Sequence, residues 1–405
     1  MAEYKDREHY IPLRRSDLVR LLTQDKGLPV TEREPFRRFA RLVTAVFHFE
    51  YQQQLEELKD AYAPFDPDSE TRPLKPMLPV ERQEKIGQAF DCFTRLMERA
   101  NFKRLTWADV EAAMAGGASD WGINMEVDPT VFERIEIFQR GDVIGTRTRR
   151  RIGGLWRLEE VKVPIYRRLV FMVKLRTHKK HPPHVDTASI YLKAFKDVPK
   201  LDLEMLLPGA RLETPKFQRL KMSGSFLGGL GFLIWKIWAE LLELLNTFVF
   251  GQGGLIWAPI AALFGYGYKQ YYGYSTMRQT YHLLLTESLY YQNLDNNSGV
   301  LTRLLDEAEE QECREVLLGY FFLWRYAPPQ GWAAEQLDDY IELYLEGAVK
   351  LKVDFEIGDA LAKLERLKLV QKEGTMYRAV PLDKALERLD WTWGNYFKNN
   401  HPVPQ

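Results

Sequence analysis

The run GFLIWKIWAELLELLNTFVF, residues 231–250, constrains this chain more than any other stretch. It is apolar enough to suggest a membrane span, yet Lys236, Glu240 and Glu243 interrupt it. At i, i+4 and i+7 the three charges share one helical face, which Asn246 and Thr247 continue, while Leu241, Leu244 and Phe248 take the opposite side. From Ser223 to Phe250 a helix reaches about 42 Å, more than the roughly 30 Å hydrocarbon core requires. A charge at the bilayer centre costs about 2.5–3.5 kcal/mol on insertion scales, so an inserted helix needs a partner or an interface for that face. A second apolar run, GLIWAPIAALFGYGYKQYYGY, follows GQG, and its Ala261, Ala262 and Gly265 permit close helix approach. Gly224 and Gly228 add one GxxxG spacing.

The flanks agree with a hairpin. Lys216, Arg219 and Lys221 precede the first run, and Lys269 and Arg278 close the second, while NTFVFGQGG between them has no cation. By the positive-inside rule both ends stay cytoplasmic, with Tyr266, Tyr268, Tyr271, Tyr272 and Tyr274 as an interfacial belt. The competing reading buries both segments in a soluble core, with the three charges on a solvated face. The start, MAEYKDREHYIPL, lacks the apolar stretch of a secretory signal and carries Glu3, Asp6 and Glu8, unlike a transit peptide. The expectation is therefore a membrane protein with most of its chain cytoplasmic. Only Cys92 and Cys313 occur, which fits a reducing compartment.

Around this hairpin the sequence predicts an α+β, multi-domain and mainly helical protein, in keeping with 405 residues. Residues 1–127 read as an N-terminal helical domain. There Phe36, Phe39, Leu42, Val43 and Phe47 form one stripe, Ile86, Phe90, Phe93 and Met97 another, and Thr31 with Glu34 suggests a capping box. Thr106 and Asp109 suggest the cap of a shorter helix at WADVEAAMAG. Residues 128–212 read as a β-rich domain from VFERIEIF, KVPIYRRLVFMVKLR and ASIYLKAFKDV, with basic connections. Residues 213–275 are the apolar hairpin. Residues 276–330 read as two helices that fold back at DNNSG, an αα-hairpin. Residues 331–405 read as a winged helix: helices at EQLDDYIELYLEGAVK and DFEIGDALAKLERLKLV, a strand–turn–strand wing at LVQKEGTMYRAV, and a closing helix with Pro381 in its first turn.

The stretches HYIPLRRSDLVRLL, YLKAFKDVPKLDLEMLLPGARL, LYYQNLDNNSGVLTRLLDEAEEQE and VDFEIGDALAKLERLKLV together resemble the uncharacterised family that includes the animal mitochondrial transmembrane protein 143, with bacterial and plant members. The resemblance covers nearly the whole chain. It implies a membrane protein with a paired apolar segment and no known reaction, and the absence of a transit-type start points to a bacterial member.

No catalytic constellation stands out: Walker, Rossmann and nucleophile-elbow patterns are absent, and no cofactor is implied. His178, His181 and His184 share the loop HKKHPPHVD as a metal candidate, against which Lys179, Lys180 and the proline pair count, because they make it cationic and irregular. Arg147, Arg149, Arg150 and Arg151, with Lys179 and Lys180, form a basic patch suited to anionic lipid. The winged helix carries a modest acid excess, including Asp338, Asp339, Glu342 and Glu346, so a protein partner is expected and nucleic acid is not. The leading expectation is a membrane-anchored, non-enzymatic scaffold or interaction protein. The alternative is an enzyme or a small-molecule or metal binder, with its site between helices near His282 and the acidic run 306–315. Charge runs on helices are usually solvated faces, and the acidic run is expected to be one.

Overall fold

A computed structural model of the protein describes residues 7, 9–71, 74–115, 124–126, 128–150, 158–177, 186–207, 211–213 and 290–397, with isolated positions 272, 276 and 279. The described residues form a mixed α+β structure that divides into two compact units, one made of 1–108, 130–199 and 294–405, the other of 109–129 and 200–293. The apolar stretch 223–274 lies outside the described residues except for Tyr272. Among the described residues no helix is long and apolar enough to cross a membrane.

In the first unit, helices from both ends of the chain share one core. Helix α1 (Arg15–Thr23) precedes α2 (Val30–Tyr62), whose buried stripe runs from Phe36 through Phe39, Val43 and Phe47 to Tyr51, Leu55 and Leu58. This spacing of three and four keeps one face inward for the whole length of α2. The expected Thr31–Glu34 capping box is not formed: α2 begins at Val30 after Pro29, so Thr31 is already inside it, and Glu34 pairs with Arg37 and Arg41 at 3.1 Å each. Helix α3 (Pro79–Arg99) starts with proline at its first position, where no N–H is needed, and the Leu78 N–H donates to Glu81 at 3.0 Å. Helix α4 (Trp107–Ala115), most of which belongs to the second unit, is the short helix expected at WADVEAAMAG.

A five-stranded sheet follows the order β1-β3-β4-β5-β7. Strands β1 (Lys103–Leu105), β3 (Phe132–Arg150), β4 (Leu158–Leu175) and β5 (Ile190–Pro199) pair antiparallel in succession. Two expectations are corrected here. The run 147–150 belongs to β3 rather than to a basic connection, while Arg167 and Arg168 lie inside β4, within the stretch KVPIYRRLVFMVKLR read as a strand. Val143, Ile144, Thr146 and Thr148 carry the strand outward, in register with Ile165 back to Glu160. Strand β5 ends opposite Ile165, so Val143–Arg150 and Leu158–Ile165 continue as a two-stranded ribbon among the described residues.

The second correction concerns DNNSG. Asn293–Asn296 is strand β7, which pairs beside β5, and only Asn297 makes the turn, at φ 50°. Asparagine tolerates that left-handed backbone better than most residues. Its N–H donates to the Leu192 carbonyl at 2.9 Å, its Oδ1 accepts the Leu192 N–H at 3.2 Å, and its Nδ2 donates to Asp68 at 2.6 Å. The long helix α6 (Ser298–Arg325) then crosses the core, buried on nearly all sides from Val300 to Leu323. In the second unit, β2 (Asn124–Glu126) pairs antiparallel with β6 (Arg211–Glu213), and the single turn α5 (Leu203–Leu206) buries Leu203 and Leu206.

The C-terminal part of the first unit contains β8 (Trp332–Ala333), α7 (Ala334–Val349), α8 (Ile357–Arg366), β9 (Val370–Glu373), β10 (Met376–Ala379) and α9 (Leu382–Asn395). The small sheet runs β8-β10-β9. Ile357, Ala360, Leu361 and Leu364 are buried, as their spacing predicts. At Gly319 on α6 an added Cβ would sit 3.1 Å from Leu364 Cδ1, so the missing side chain lets α8 approach closely. At Gly331, with φ +84°, a Cβ would lie 2.3 Å from the Tyr377 carbonyl oxygen, and the turn into β8 requires glycine.

Candidate functional site: a charged cleft over the central helix

Helix α6 is apolar all round at its C-terminal half, LLGYFFLW, which marks a buried helix. The acidic run precedes it on the same helix, and burial reaches it too. Glu309, Glu312 and Glu315 are buried, with Gln311 and Arg314 beside them. The expectation of a solvated face is thus corrected: ion pairs from other elements compensate the desolvation that would otherwise exclude these groups.

Each partner comes from far along the chain. Arg99 at the end of α3 grips Glu312 with two parallel bonds, Nε to Oε1 at 2.7 Å and Nη2 to Oε2 at 2.9 Å. Its guanidinium lies 4.3 Å from the Tyr51 ring centroid. Lys363 of α8 donates to Glu315 at 2.7 Å and to Asp359, and stands 3.7 Å from Glu312. The second Glu315 oxygen accepts from Gln311 at 2.8 Å and Asn101 at 3.1 Å. Further along, Arg140 of β3 reaches Glu307 at 2.5 Å, and His48 meets Glu309 at 2.9 Å. The segment before α1 closes the network from outside: the His9 carbonyl accepts from both Asn101 and Gln311, the Ile11 N–H donates to Gln311, and the Leu13 carbonyl accepts from Arg314.

The electrostatics follow from three acids around one lysine. Burial alone would raise the Glu312 carboxyl, but the Arg99 hydrogen bonds and the Lys363 charge outweigh it and hold the group below its usual value. Burial would lower Lys363, but Glu315, Glu312 and Asp359 hold it above the ordinary lysine range. Burial dominates at Glu315 and pushes it up. Burial likewise pushes the Tyr51 phenol up, and neighbouring Glu312 adds to it. The thiol of Cys313 is pushed up to about 12 by burial, which makes it a poor nucleophile.

Above Glu312 and Lys363 opens a cleft of about 670 Å³ between α2, α3, α6 and α8. Arg366 closes one side, paired with both oxygens of Glu50 at 2.6 and 2.9 Å, and the Tyr396 hydroxyl donates to the same Glu50 at 2.8 Å. On the α3 side, Arg95 Nη2 donates to Cys92 Sγ at 3.0 Å.

Sequence reasoning singled out Asp306, Glu307, Glu309, Glu310, Glu312 and Glu315, and the structure places Glu312 at the floor of this cleft. It missed Arg99, Lys363, Glu50 and Arg366, which come from three other helices. The available signal was the position of the acids directly before the all-apolar half of the same helix, which carries them into the core and obliges them to find cations. His282 lies outside the described residues, as do Lys236, Glu240 and Glu243, the loop histidines His178, His181 and His184, and Arg151, Lys179 and Lys180. Arg147, Arg149 and Arg150 occupy β3, where the register sets Glu159 opposite Arg149 and Glu160 opposite Thr148. Asp186, beside the histidine loop, accepts from Ser189 at 2.5 Å and from the Ala188 N–H at 2.8 Å. Among the described residues no group of three His, Cys, Asp or Glu side chains could hold a metal ion.

The fold and cleft define a mixed α+β protein with a buried ionic network and no recognisable catalytic set among the described residues. Residues 149–299 contain a domain of the family described as Protein of unknown function (DUF3754). The match opens at the end of β3 and closes just after β7, so it brackets the apolar stretch together with the strands on either side. No solved structure matches the chain.

Proposed function

We propose that this is a membrane-anchored interaction protein, non-enzymatic, whose helical and β parts stand on the cytoplasmic face of a bilayer. The observation that carries the reading is where the chain leaves and re-enters the five-stranded sheet. It leaves at Pro199, the end of β5, and returns at Asn293 as β7, the strand beside β5. An excursion that departs from and rejoins one sheet edge crosses a bilayer an even number of times, and the two apolar runs 223–250 and 254–274 supply two passes. The cation-free turn between them and the basic flanks favour the same topology.

Within this reading the anchor charges Lys236, Glu240 and Glu243 face the second pass or the interface. The basic residues of the β3–β4 ribbon and the loop 178–181 attract anionic lipid, on the order of 1 kcal/mol per cation near the surface. The C-terminal helices and small sheet are a winged helix used for packing or a protein partner, not for nucleic acid: Lys363 and Arg366 on α8 are engaged by Glu315, Asp359 and Glu50. Kinship with the transmembrane protein 143 family, through a bacterial member, belongs to the same reading.

The test places a thiol in the turn. In a Cys92→Ser background, Gln252→Cys in sealed membrane vesicles is labelled by a membrane-impermeant maleimide only from the side opposite the folded unit. Labelling only from the side of the folded unit overturns the spanning hairpin.

A further inference from the structure

We propose that the cleft between α2, α3, α6 and α8 is a binding site for a small zwitterion of the amino-acid or short-peptide class. At about 670 Å³ it lies within the roughly 300–1,000 Å³ of small-molecule sites. Its floor is built in advance. The Arg99–Glu312 and Arg366–Glu50 pairs are both bidentate and hold their own charges. Lys363 is different: its side chain is 9 % exposed, and its ammonium gives two hydrogens to Glu315 and Asp359. Glu312 at 3.7 Å is too far to accept the third, so one donor of a buried cation that lines the cleft has no acceptor among the described residues.

The walls fix the ligand class. Among the described residues Arg95 is engaged only by the Cys92 sulfur, a weak acceptor. Glu57 has no hydrogen bond or ion pair among the described residues, and the same holds for the amides of Gln53 and Gln54. Arg95, Glu57 and Cys92 line the same cleft, with Arg95 beside the Cys92 sulfur. A polyphosphate needs a surplus of cations, and this cleft has none once its ion pairs are counted. An apolar ligand would leave the third donor of buried Lys363 without an acceptor. A molecule with a carboxylate for Lys363 and Arg95 and an ammonium for Glu57 satisfies them together, and the two glutamines suit amide groups between its ends.

Cys92 is the reporter, since Cys313 is fully buried and the chain has no other cysteine. The detergent-solubilised full chain is labelled with N-ethylmaleimide in the presence of glycylglycine or L-glutamine. A bound ligand present at about ten times its Kd slows labelling by about tenfold, because only the free fraction reacts. Acetate and methylammonium, each carrying one charge, leave the rate unchanged. Arg95→Gln and Glu57→Gln, both at exposed positions, each abolish the slowing when compared with their own ligand-free rates. The proposal is overturned if neither zwitterion slows labelling at tens of millimolar, if a singly charged control slows it equally, or if the slowing survives both substitutions. Anchoring plays no part in this experiment, so its outcome is independent of the membrane reading.

Discussion

Two stretches of this chain set charges into an apolar helical pattern, residues 223–250 and α6, and only the second lies among the described residues. In α6 Glu309, Glu312 and Glu315 are buried, cations from α3 and α8 meet the last two, and Arg140 of β3 meets half-buried Glu307. An interrupted apolar pattern is therefore no evidence of an exposed face in this protein. It is evidence of a demand for partners. The same logic applies to Lys236, Glu240 and Glu243, whose shared face needs protein or an interface whether the segment is inserted or buried. What separates the two stretches is the surrounding sequence: α6 carries charge along half its length, whereas 223–235 carries none.

The comparison can be broken most sharply by removing one lysine from each stretch's environment. Lys363→Met leaves Glu315 and Glu312 without their shared cation and costs about 3–5 kcal/mol in urea unfolding of the solubilised protein. Lys363→Met combined with Glu315→Leu regains part of that loss, since the isolated buried charge is gone. Lys236→Leu is tolerated or strengthens membrane insertion. If Lys236→Leu instead destabilises as Lys363→Met does, residues 223–250 are a buried ionic core like α6.

Leu244→Lys has the next largest effect. On the proposed anchor it puts a charge on the side turned to lipid and costs about 2.5–3.5 kcal/mol of insertion near the bilayer centre. Membrane-bound protein falls relative to the unmutated chain, measured by flotation on a density gradient.

A third region sharpens the contrast. On α7, Asp338 lacks the kind of cation that Glu312 has: burial, with Glu342, Asp354 and Asp339 nearby, pushes its pKa up to about 7, and Arg7 opposes this only in part. A raised carboxyl means that the native state holds the proton more tightly than the unfolded chain. Its stabilising contribution is complete below the ordinary value of 3.8 and is lost as pH rises through about 7. Asp338→Asn therefore stabilises the protein at pH values above this window and does little below it. At this half-buried site the gain is on the order of 1 kcal/mol after solvent screening, read from the pH dependence of thermal unfolding. At the smallest end, Glu34→Ala on the exposed face of α2 removes ion pairs to Arg37 and Arg41 and shifts stability by no more than about 0.5 kcal/mol.

What was legible in the sequence was what local periodicity encodes. The stripes of α2, α3 and α8 and the turn between β9 and β10 are written in spacing and in a glycine with positive φ, and the structure reproduces them. Strand β7 was not legible, because NLDN has no β-rich composition and becomes a strand only by pairing with β5. The outer half of β3 was missed for a related reason: an arginine–threonine run looks like a connection until its partner strand is known. The cleft depends wholly on distance in sequence. Nothing in ALAKLER around Lys363 announces Glu315, and nothing in the α3 terminus announces Glu312. The acids were visible, and the cations that define their role were not.

The central claim is that residues 213–275 anchor this protein in a bilayer. Alkaline carbonate extraction of membranes containing the unmutated full chain tests it most directly, because carbonate strips peripheral proteins and leaves inserted ones. The account predicts that the protein stays in the membrane pellet after the wash. Quantitative recovery in the carbonate supernatant would contradict it and leave the apolar run as part of a soluble core.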